Sequence, residues 1–226
     1  MRKMSLFALL LAALVIGMVP VASAGGVTCR TGVGCLNGTG HYDWTANFGP
    51  SFTPIPNGSV AVGIGAPNAT VNFVQGGAGL RIDQGNGWAG NFSLGDELLW
   101  TNLSPGQGPL TFNFASAVSG VGAQIQADYF GLFTAMICDQ ANNCFSENGN
   151  SNSNGDGSAI FIGLANDPGI TSVTFSLTAC ASDCNDFTIN QMDITTSSTT
   201  PEPSSLILMG SGLLGLAGFA RRRFLL

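Results

Sequence analysis

The sequence predicts an all-β fold, an antiparallel β-sandwich of two sheets with a jelly-roll-like topology. Apolar and polar residues alternate in short stretches throughout the second half of the chain, for example in 110–114 and 173–177, and this period of two is typical of half-buried strands. Turn residues separate the stretches at intervals of about 8 to 12 residues, which favours a sandwich. Between the two hydrophobic termini, no stretch has the pattern of a convincing amphipathic helix.

About ten strands are predicted along the chain. They cover residues 60–64, 70–74, 79–82, 97–101, 110–114, 121–127, 133–137, 160–164, 173–177 and 187–194. The preceding segment, 25–58, is rich in glycine and asparagine and predicts irregular structure with one short strand that covers a sheet edge. A polar loop is predicted over 139–158.

Three of these elements carry more specific predictions. Asn86-Gly87 is the preferred dipeptide of a type I′ hairpin turn. The stretch 160–164 is apolar on both faces and predicts a central strand. The last strand changes its buried face partway along, which implies a β-bulge near Asn190 and Gln191.

Residues 1–24 predict a signal peptide. A positively charged start, Met1-Arg2-Lys3, precedes an apolar stretch over 6–19 and a small-residue cleavage pattern that ends at Ala24. These are the three parts of a secretory signal. We therefore expect cleavage after Ala24 and export of the remaining chain.

The part of the chain between the two termini is strongly acidic. Residues 25–200 hold two of the seven basic residues, Arg30 and Arg81, against twelve of the thirteen acidic residues, which leaves a net charge close to −10. They contain no lysine. Because binding to phosphates and to anionic lipid headgroups depends on lysine and arginine, this composition excludes a nucleic-acid partner.

The segment 201–226 has three parts. Pro201-Glu202-Pro203 is followed by an uncharged apolar run over 204–220 and then by the cluster Arg221, Arg222 and Arg223. As a helix the apolar run would span about 25 Å, against a hydrocarbon core of about 30 Å, so it predicts a short and weak transmembrane anchor. The arginines favour the cytoplasmic side of the membrane, which places the rest of the chain outside the cytoplasm.

This tail resembles the PEP-CTERM sorting signal of Gram-negative bacteria. The resemblance implies that an exosortase, a membrane-embedded cysteine transpeptidase, recognises Pro201, Glu202 and Pro203 and removes the tail. It also implies that the protein resides in the inner membrane before processing, and afterwards at the cell surface, at the outer membrane or in the extracellular matrix. An ordinary tail anchor and a core helix at the end of a domain are the alternatives.

The predicted organisation is therefore a signal peptide over 1–24, a β-sandwich ectodomain over 25–194, a Ser/Thr-rich spacer over 195–200 and the sorting signal over 201–226. The spacer is expected either to carry O-linked sugar or to act as a plain linker.

Six cysteines form sequence-local pairs: Cys29 and Cys35, Cys138 and Cys144, Cys180 and Cys184. An even number of cysteines in an exported chain predicts disulfides. We expect the local pairing, because each pair brackets a short polar loop. Zinc ligation is the competing interpretation, but the spacings differ from paired C-x2-C motifs, and we predict no metal at these residues.

The sequence offers few catalytic residues. His41 is the single histidine and lies in the least regular part of the chain, so we expect a half-buried loop residue. Asp96 and Glu97 are a candidate carboxylate pair for glycoside hydrolysis, but neighbouring strand residues point to opposite faces. We therefore predict that the protein is not an enzyme.

Two stretches are candidates for a structural calcium ion, and the sequence predicts no other cofactor. The loop 150–157 alternates oxygen-bearing side chains but has a single carboxylate, and Phe161 stands where an EF-hand needs glutamate. Asp183 and Asp186 flank the loop between Cys180 and Cys184.

An exposed aromatic ring would indicate sugar binding, because it stacks on the apolar face of a pyranose. The candidates are Trp44, Trp88, Trp100, Tyr42 and Tyr129. Trp88 follows a predicted turn, so we expect it to be the exposed ring and the glycan contact, whereas Trp100 is expected in the core.

The sequence leaves two functions open. The first is a non-enzymatic exported protein of the cell surface or the exopolysaccharide matrix, with exosortase and the membrane as transient partners and a polysaccharide as a weakly bound ligand. The alternative is a secreted hydrolase that acts on polysaccharide through an Asp/Glu pair.

Overall fold

The computed structural model describes residues 25–29, 36–101 and 105–196, without the side chains of 25–29 and 166–168. These ranges lie in a compact unit that ends at Thr196. They contain fourteen strands and one short helix, namely β1 (Gly25–Cys29), β2 (Gly40–Tyr42), α1 (Trp44–Phe48), β3 (Thr53–Pro56), β4 (Ser59–Ala61), β5 (Ala69–Phe73), β6 (Ala78–Gln84), β7 (Gly87–Trp88), β8 (Glu97–Trp100), β9 (Leu110–Ala127), β10 (Gly131–Asp139), β11 (Cys144–Ser151), β12 (Ile160–Ala179), β13 (Phe187–Ile189) and β14 (Met192–Thr195). The predicted all-β fold is confirmed.

Backbone hydrogen bonds join these strands into one sheet. The main path runs β11-β10-β12-β9-β13-β8-β6-β3. The remaining strands attach to it at the side: β1 to β12, β5 and β14 to β9, β4 to β5, β2 to β14 and β7 to β6. All pairs are antiparallel except β6 with β7. The predicted antiparallel arrangement is therefore present, within a single connected network of ladders.

Two strands are much longer than the sequence predicts. The predicted strands 110–114 and 121–127 are the two ends of β9, and 160–164 and 173–177 are the two ends of β12. Exposed side chains at 115–117 interrupt the alternation of buried and exposed residues in β9. The sequence pattern therefore predicts two strands where the structure has one. As predicted, 160–164 is central, because β1 pairs with it on one side and β9 on the other.

Strand β11 occupies part of the predicted polar loop. Most of its side chains are polar, and β10 is its hydrogen-bonded neighbour. The Cys138–Cys144 disulfide closes the turn between the two strands. Tertiary pairing therefore makes a strand of a segment that has few apolar side chains of its own.

Two of the three predicted cysteine pairs are disulfides, Cys138–Cys144 and Cys180–Cys184. The third, Cys29 with Cys35, lies outside the residues whose side chains are described. The predicted signal peptide 1–24 and the sorting signal 201–226 lie outside the described residues too. In the described ranges, no helix has the length and apolar character needed to span a bilayer.

The turn at Asn86-Gly87 differs from the prediction. A type I′ turn needs positive φ at both residues, but here Gly85 and Gly87 have φ of 85° and 107° and Asn86 does not. The chain turns over three residues and brings β7 parallel to the end of β6. The predicted type I′ hairpin is wrong because glycines on both sides of Asn86 take the left-handed conformation.

The core is aromatic, and its centre comes from the segment predicted to be irregular. Trp44 is fully buried and stacks on Tyr42, Phe48 and Phe112, with ring centroids 5.8, 6.0 and 5.9 Å away. The Trp44 indole N–H donates to the Asn190 carbonyl over 2.9 Å. The segment around α1 is thus part of the core, whereas the sequence predicted that it covers a sheet edge.

The predicted β-bulge near Asn190 is present between β13 and β14. Ile189 pairs with Ile125 and Asp193 with Gly122, so four steps along one strand match three along β9. The Asn190 side chain fills the irregularity: its Oδ1 accepts from the Gln124 backbone N–H over 2.9 Å, and its Nδ2 donates to the Gln124 Oε1 over 2.7 Å. The ladder is therefore completed by a side chain.

We predict that Asn190→Ala lowers the free energy of unfolding by about 2–4 kcal/mol, because it leaves a buried N–H and a buried amide oxygen of Gln124 without partners. Urea unfolding of the protein purified from its host measures the effect. Gln191→Ala, at the partly exposed neighbouring residue, is the control and is expected to cost less than about 0.5 kcal/mol. Equal effects of the two variants would contradict the role of Asn190 in the bulge.

Candidate functional site

Two cavities share the residues Gly95 and Glu97. The smaller, called the acidic cavity below, has a volume of about 290 Å³. It is lined by His41, Asp43, Gly95, Asp96, Glu97, Asn190 and Gln191. The larger, called the Phe52 groove, is open and measures about 700 Å³. It is lined by Thr45, Pro50, Ser51, Phe52, Arg81, Asp83, Gln84, Gly85, Asn86, Leu94, Gly95 and Glu97.

The floor of the Phe52 groove holds a buried cation. Arg81 on β6 is only 2% exposed, and a buried charge needs partners to offset its desolvation. Its guanidinium donates to Asp83 and to the Thr45 hydroxyl, and its Nη2 lies 3.6 Å from Glu97 Oε1. Its Nε is buried with no hydrogen-bond partner. The cation therefore neutralises one of two carboxylates at the groove.

The wall of the groove is an exposed aromatic ring. Phe52 is 56% exposed and has a φ of 69°, an unusual conformation for a bulky residue. Its N–H donates to the Arg81 carbonyl over 2.7 Å. A Cβ at Gly87 would lie 2.6 Å from the tip of the ring, so the glycine lets the ring rest on the backbone of the turn.

Ser51 connects this wall to the opposite strand. Its hydroxyl donates to the Asn86 carbonyl over 2.9 Å and accepts from the Asp83 N–H over 3.1 Å. The backbone on either side of the groove is thus held at a fixed separation.

The carboxylates of the acidic cavity all have partners within the protein. Asp43 caps the N-terminus of α1 by accepting from the Ala46 N–H over 2.7 Å. Asp96 accepts from the Ser93 N–H over 3.1 Å, and Glu97 accepts from the Thr45 N–H over 2.9 Å. These bonds give each of the three a structural role.

Asp96 and Glu97 border one cavity, although strand alternation predicted opposite directions. Asp96 lies in the turn before β8, where the alternation of strand side chains does not apply. Burial raises the pKa of Asp96, and hydrogen bonds from the Ser93 backbone and the Asn190 side chain partly oppose the rise. Asp96 and Glu97 therefore line the same cavity, which the alternation of strand residues did not predict.

His41 and Asp193 face each other across the β2–β14 ladder. His41 is partly exposed and belongs to a strand, where the sequence predicted a loop. Asp193 is 5% exposed, and its Oδ2 has no hydrogen-bond partner. Burial raises its pKa to about 6.

The predicted glycan contact Trp88 is wrong. Its side chain is 4% exposed and belongs to a small core cluster with Ile82, Phe92 and Leu98. It packs edge-on against Trp100, with ring centroids 5.4 Å apart. The tight turn before it directs the ring inwards, so that no sugar can reach its face.

Phe52 is an exposed ring that the sequence did not indicate. The signal for it was a bulky residue two positions after Pro50, in the turn that precedes β3.

The candidate calcium ligands serve the protein itself. Asp183 Oδ2 accepts from the Gly106 N–H over 2.8 Å, and Asp186 Oδ1 accepts from the Trp100 indole over 2.6 Å. Burial raises the pKa of Asp186 to about 6, with repulsion from Asp128 and Asp183 adding to it. Across the described ranges, no group of three or more His, Cys, Asp or Glu side chains is arranged to hold a metal ion.

Comparison with protein families identifies the tail. The model of the PEP-CTERM protein-sorting motif matches residues 199–223, the segment that contains Pro201-Glu202-Pro203 and Arg221 to Arg223. Comparisons with curated proteins and with solved structures give no match. The sorting motif is therefore confirmed. Inferences about the β-domain that precedes it rest on its structure.

We predict that Asp193→Asn raises the free energy of unfolding at pH 7.5 by an amount on the order of 2 kcal/mol. Because the pKa of Asp193 is raised from 3.8 to about 6 in the folded state, the native protein holds this proton more tightly than the unfolded chain does. The wild type therefore loses stability as the pH rises from about 3.8 to about 6, where the buried carboxyl group of Asp193 ionises. The side-chain amide of the Asp193→Asn variant does not ionise, so the variant avoids this loss.

Urea unfolding at pH 7.5 and pH 4.5 measures this effect, and the gain should largely disappear at the lower pH. Glu147→Gln, on the partly exposed strand β11, is the control and is expected to change stability by less than about 0.5 kcal/mol at either pH. A gain from Asp193→Asn of the same size at both pH values would contradict the assignment.

Proposed function

We propose that this PEP-CTERM sorting-motif protein is a non-enzymatic component of the bacterial surface or exopolysaccharide matrix that is processed by exosortase and binds glycan. The observation that carries the proposal is the sorting motif at 199–223. The motif implies export and recognition by an exosortase. The glycan ligand and the final location are inferred from the chemistry of the exported domain.

The proposed route begins with the signal peptide 1–24 and ends with the tail 201–226. The apolar run 204–220 holds the chain in the inner membrane, with Arg221 to Arg223 on the cytoplasmic side. Exosortase then removes the tail and releases the domain 25–194 and its spacer towards the cell surface, the outer membrane or the matrix. The short length of the run supports a temporary anchor.

We also propose that the single sheet bends into the two packed layers of a jelly-roll-like sandwich. The length of β9 and β12 supports this, because each changes its pairing partners from one end to the other. The register shifts in β12 between Ala165 and Ser172 supply points at which the strand can bend.

The choice of binding over catalysis rests on the carboxylates. A glycosidase needs one carboxyl group that donates a proton and a second that acts as base or nucleophile. In the acidic cavity, Asp43, Asp96 and Glu97 each accept a hydrogen bond from the backbone, which holds each carboxyl group in a fixed position. Carboxyl groups that are hydrogen-bonded to the backbone in this way support a structural role over a catalytic one.

A second candidate function is polysaccharide hydrolysis. The observation that favours it is the shared cavity of Asp96 and Glu97 beside the Phe52 groove, together with burial that raises the pKa of Asp96. A raised pKa is what a general acid requires. Release of reducing ends from neutral glucan and mannan, measured with the wild type and with Asp96→Asn, tests it: release that is lost in the variant would favour the enzyme.

We predict that replacing Pro201, Glu202 and Pro203 with alanine keeps the protein in the inner membrane at its larger mass. The wild type should lose residues 1–24 and the segment beyond about Pro203. Intact-mass spectrometry of fractionated host cells measures both. The double variant Ser197→Ala and Ser198→Ala lies just outside the matched motif and should be processed as the wild type is. Retention of 221–226 in the wild type would identify a permanent anchor and contradict the proposal.

A further inference from the structure

We propose that the Phe52 groove is a binding site for a neutral oligosaccharide, with Phe52 stacking on the apolar face of one sugar ring and the groove carboxylates accepting from its hydroxyl groups. The inference rests on the proposed glycan-binding function and deepens it, because it names the site and the class of sugar.

The apolar wall leaves more than half of the Phe52 side chain open to solvent. Phe52 is 56% exposed although the tip of its ring rests on Gly87, and its left-handed backbone conformation is unusual for a bulky residue. Leu94, 76% exposed, lies on the same groove against Gly85. An exposed aromatic ring is the feature that sugar binding needs, because the C–H face of a pyranose is apolar.

The floor offers hydrogen-bond groups that are already oriented. Arg81 engages Oδ1 of Asp83, which leaves Oδ2 to accept from a sugar hydroxyl. Asp83 and Glu97 are both partly exposed, and the buried guanidinium behind them fixes their positions. Ionised groups held in place make stronger hydrogen bonds to a ligand than mobile ones.

The charge of the groove selects a neutral ligand. Arg81 contributes one positive charge, and Asp83 and Glu97 contribute two negative charges, so the site is anionic overall. Both Nη atoms of Arg81 face protein groups, and the side chain is 2% exposed. The arginine is therefore unable to receive a carboxylate or sulfate from outside, and uronate or sulfated sugars would be repelled.

The size of the groove indicates more than one sugar ring. About 700 Å³ lies within the range of sites for small organic ligands. The acidic cavity shares the lining residues Gly95 and Glu97 with it. A short chain of hexoses can fit in the groove, whereas a single hexose would leave most of it empty.

The inference is tested by isothermal titration of the protein purified from its host with tetrasaccharides of glucose, mannose and galactose, and with tetragalacturonate as the anionic probe. We expect binding of at least one neutral tetrasaccharide and at least about tenfold weaker binding of tetragalacturonate. Phe52→Ala should weaken the neutral binding about tenfold, equivalent to about 1.4 kcal/mol, and Phe52→Trp should keep it.

The matched control is Phe130→Ala. Phe130 has the same 56% exposure as Phe52 but lies in the turn between β9 and β10, so its loss should leave binding unchanged. Leu94→Ala is the second groove variant, and because Leu94 is 76% exposed we expect the variant to fold as the wild type does. It should weaken binding severalfold, and thermal unfolding of each variant verifies the fold.

The outcomes separate the site from the function. Neutral binding that neither Phe52→Ala nor Leu94→Ala reduces would overturn the groove and leave the glycan-binding function in place. Binding of tetragalacturonate as tight as that of the neutral sugars would overturn the selection by charge. Failure of the wild type to bind any neutral tetrasaccharide would overturn both the site and the glycan part of the proposed function, while the mass measurement of sorting stands separately.

Discussion

The β-bulge at Asn190 is the constraint on which the fold and the acidic cavity both depend. Its side chain completes the hydrogen bonding of Gln124 in β9, and its carbonyl receives the indole N–H of Trp44. Asn190 therefore connects the segment between β13 and β14, the β9–β12 ladder and the aromatic core. The same irregularity places Asn190 and Gln191 in the wall of the acidic cavity, so a feature required for packing also shapes the candidate site.

Arg81 has a corresponding role in the Phe52 groove. A guanidinium removed from water must be surrounded by acceptors, and the acceptors here come from β6, β8 and α1. Because its backbone carbonyl also receives the Phe52 N–H, the buried charge and the exposed ring are held by one residue. The charge cannot be used for an anionic ligand without breaking these contacts, and the preference for neutral sugars that we propose for the groove follows from this burial.

Much of the fold was predictable because burial and strand geometry share a period of two. The central position of 160–164, the bulge after Ile189 and two disulfides follow from local sequence. The prediction was incomplete where pairing outweighs propensity: β11 is polar and needs β10, and β9 passes through an exposed stretch that looks like a turn. The expected exposure of Trp88 was wrong, and the exposure of Phe52 was not predicted, because the direction of a ring near a turn depends on backbone φ, which sequence patterns do not specify.

The strong acidity of the exported domain links the groove to the proposed location. Electrostatic repulsion between exposed charges acts over about 8 Å at physiological ionic strength, so a domain with a net charge near −10 is kept apart from anionic polymers except where contact is close and specific. Stacking on Phe52 and short hydrogen bonds to oriented carboxylates act at such close range and depend little on salt. On the proposed function, a protein that is repelled by uronate-rich or sulfated chains would distribute along the neutral stretches of a mixed matrix. The acidity from which we predict no nucleic-acid binding would then also determine which part of the matrix the protein occupies.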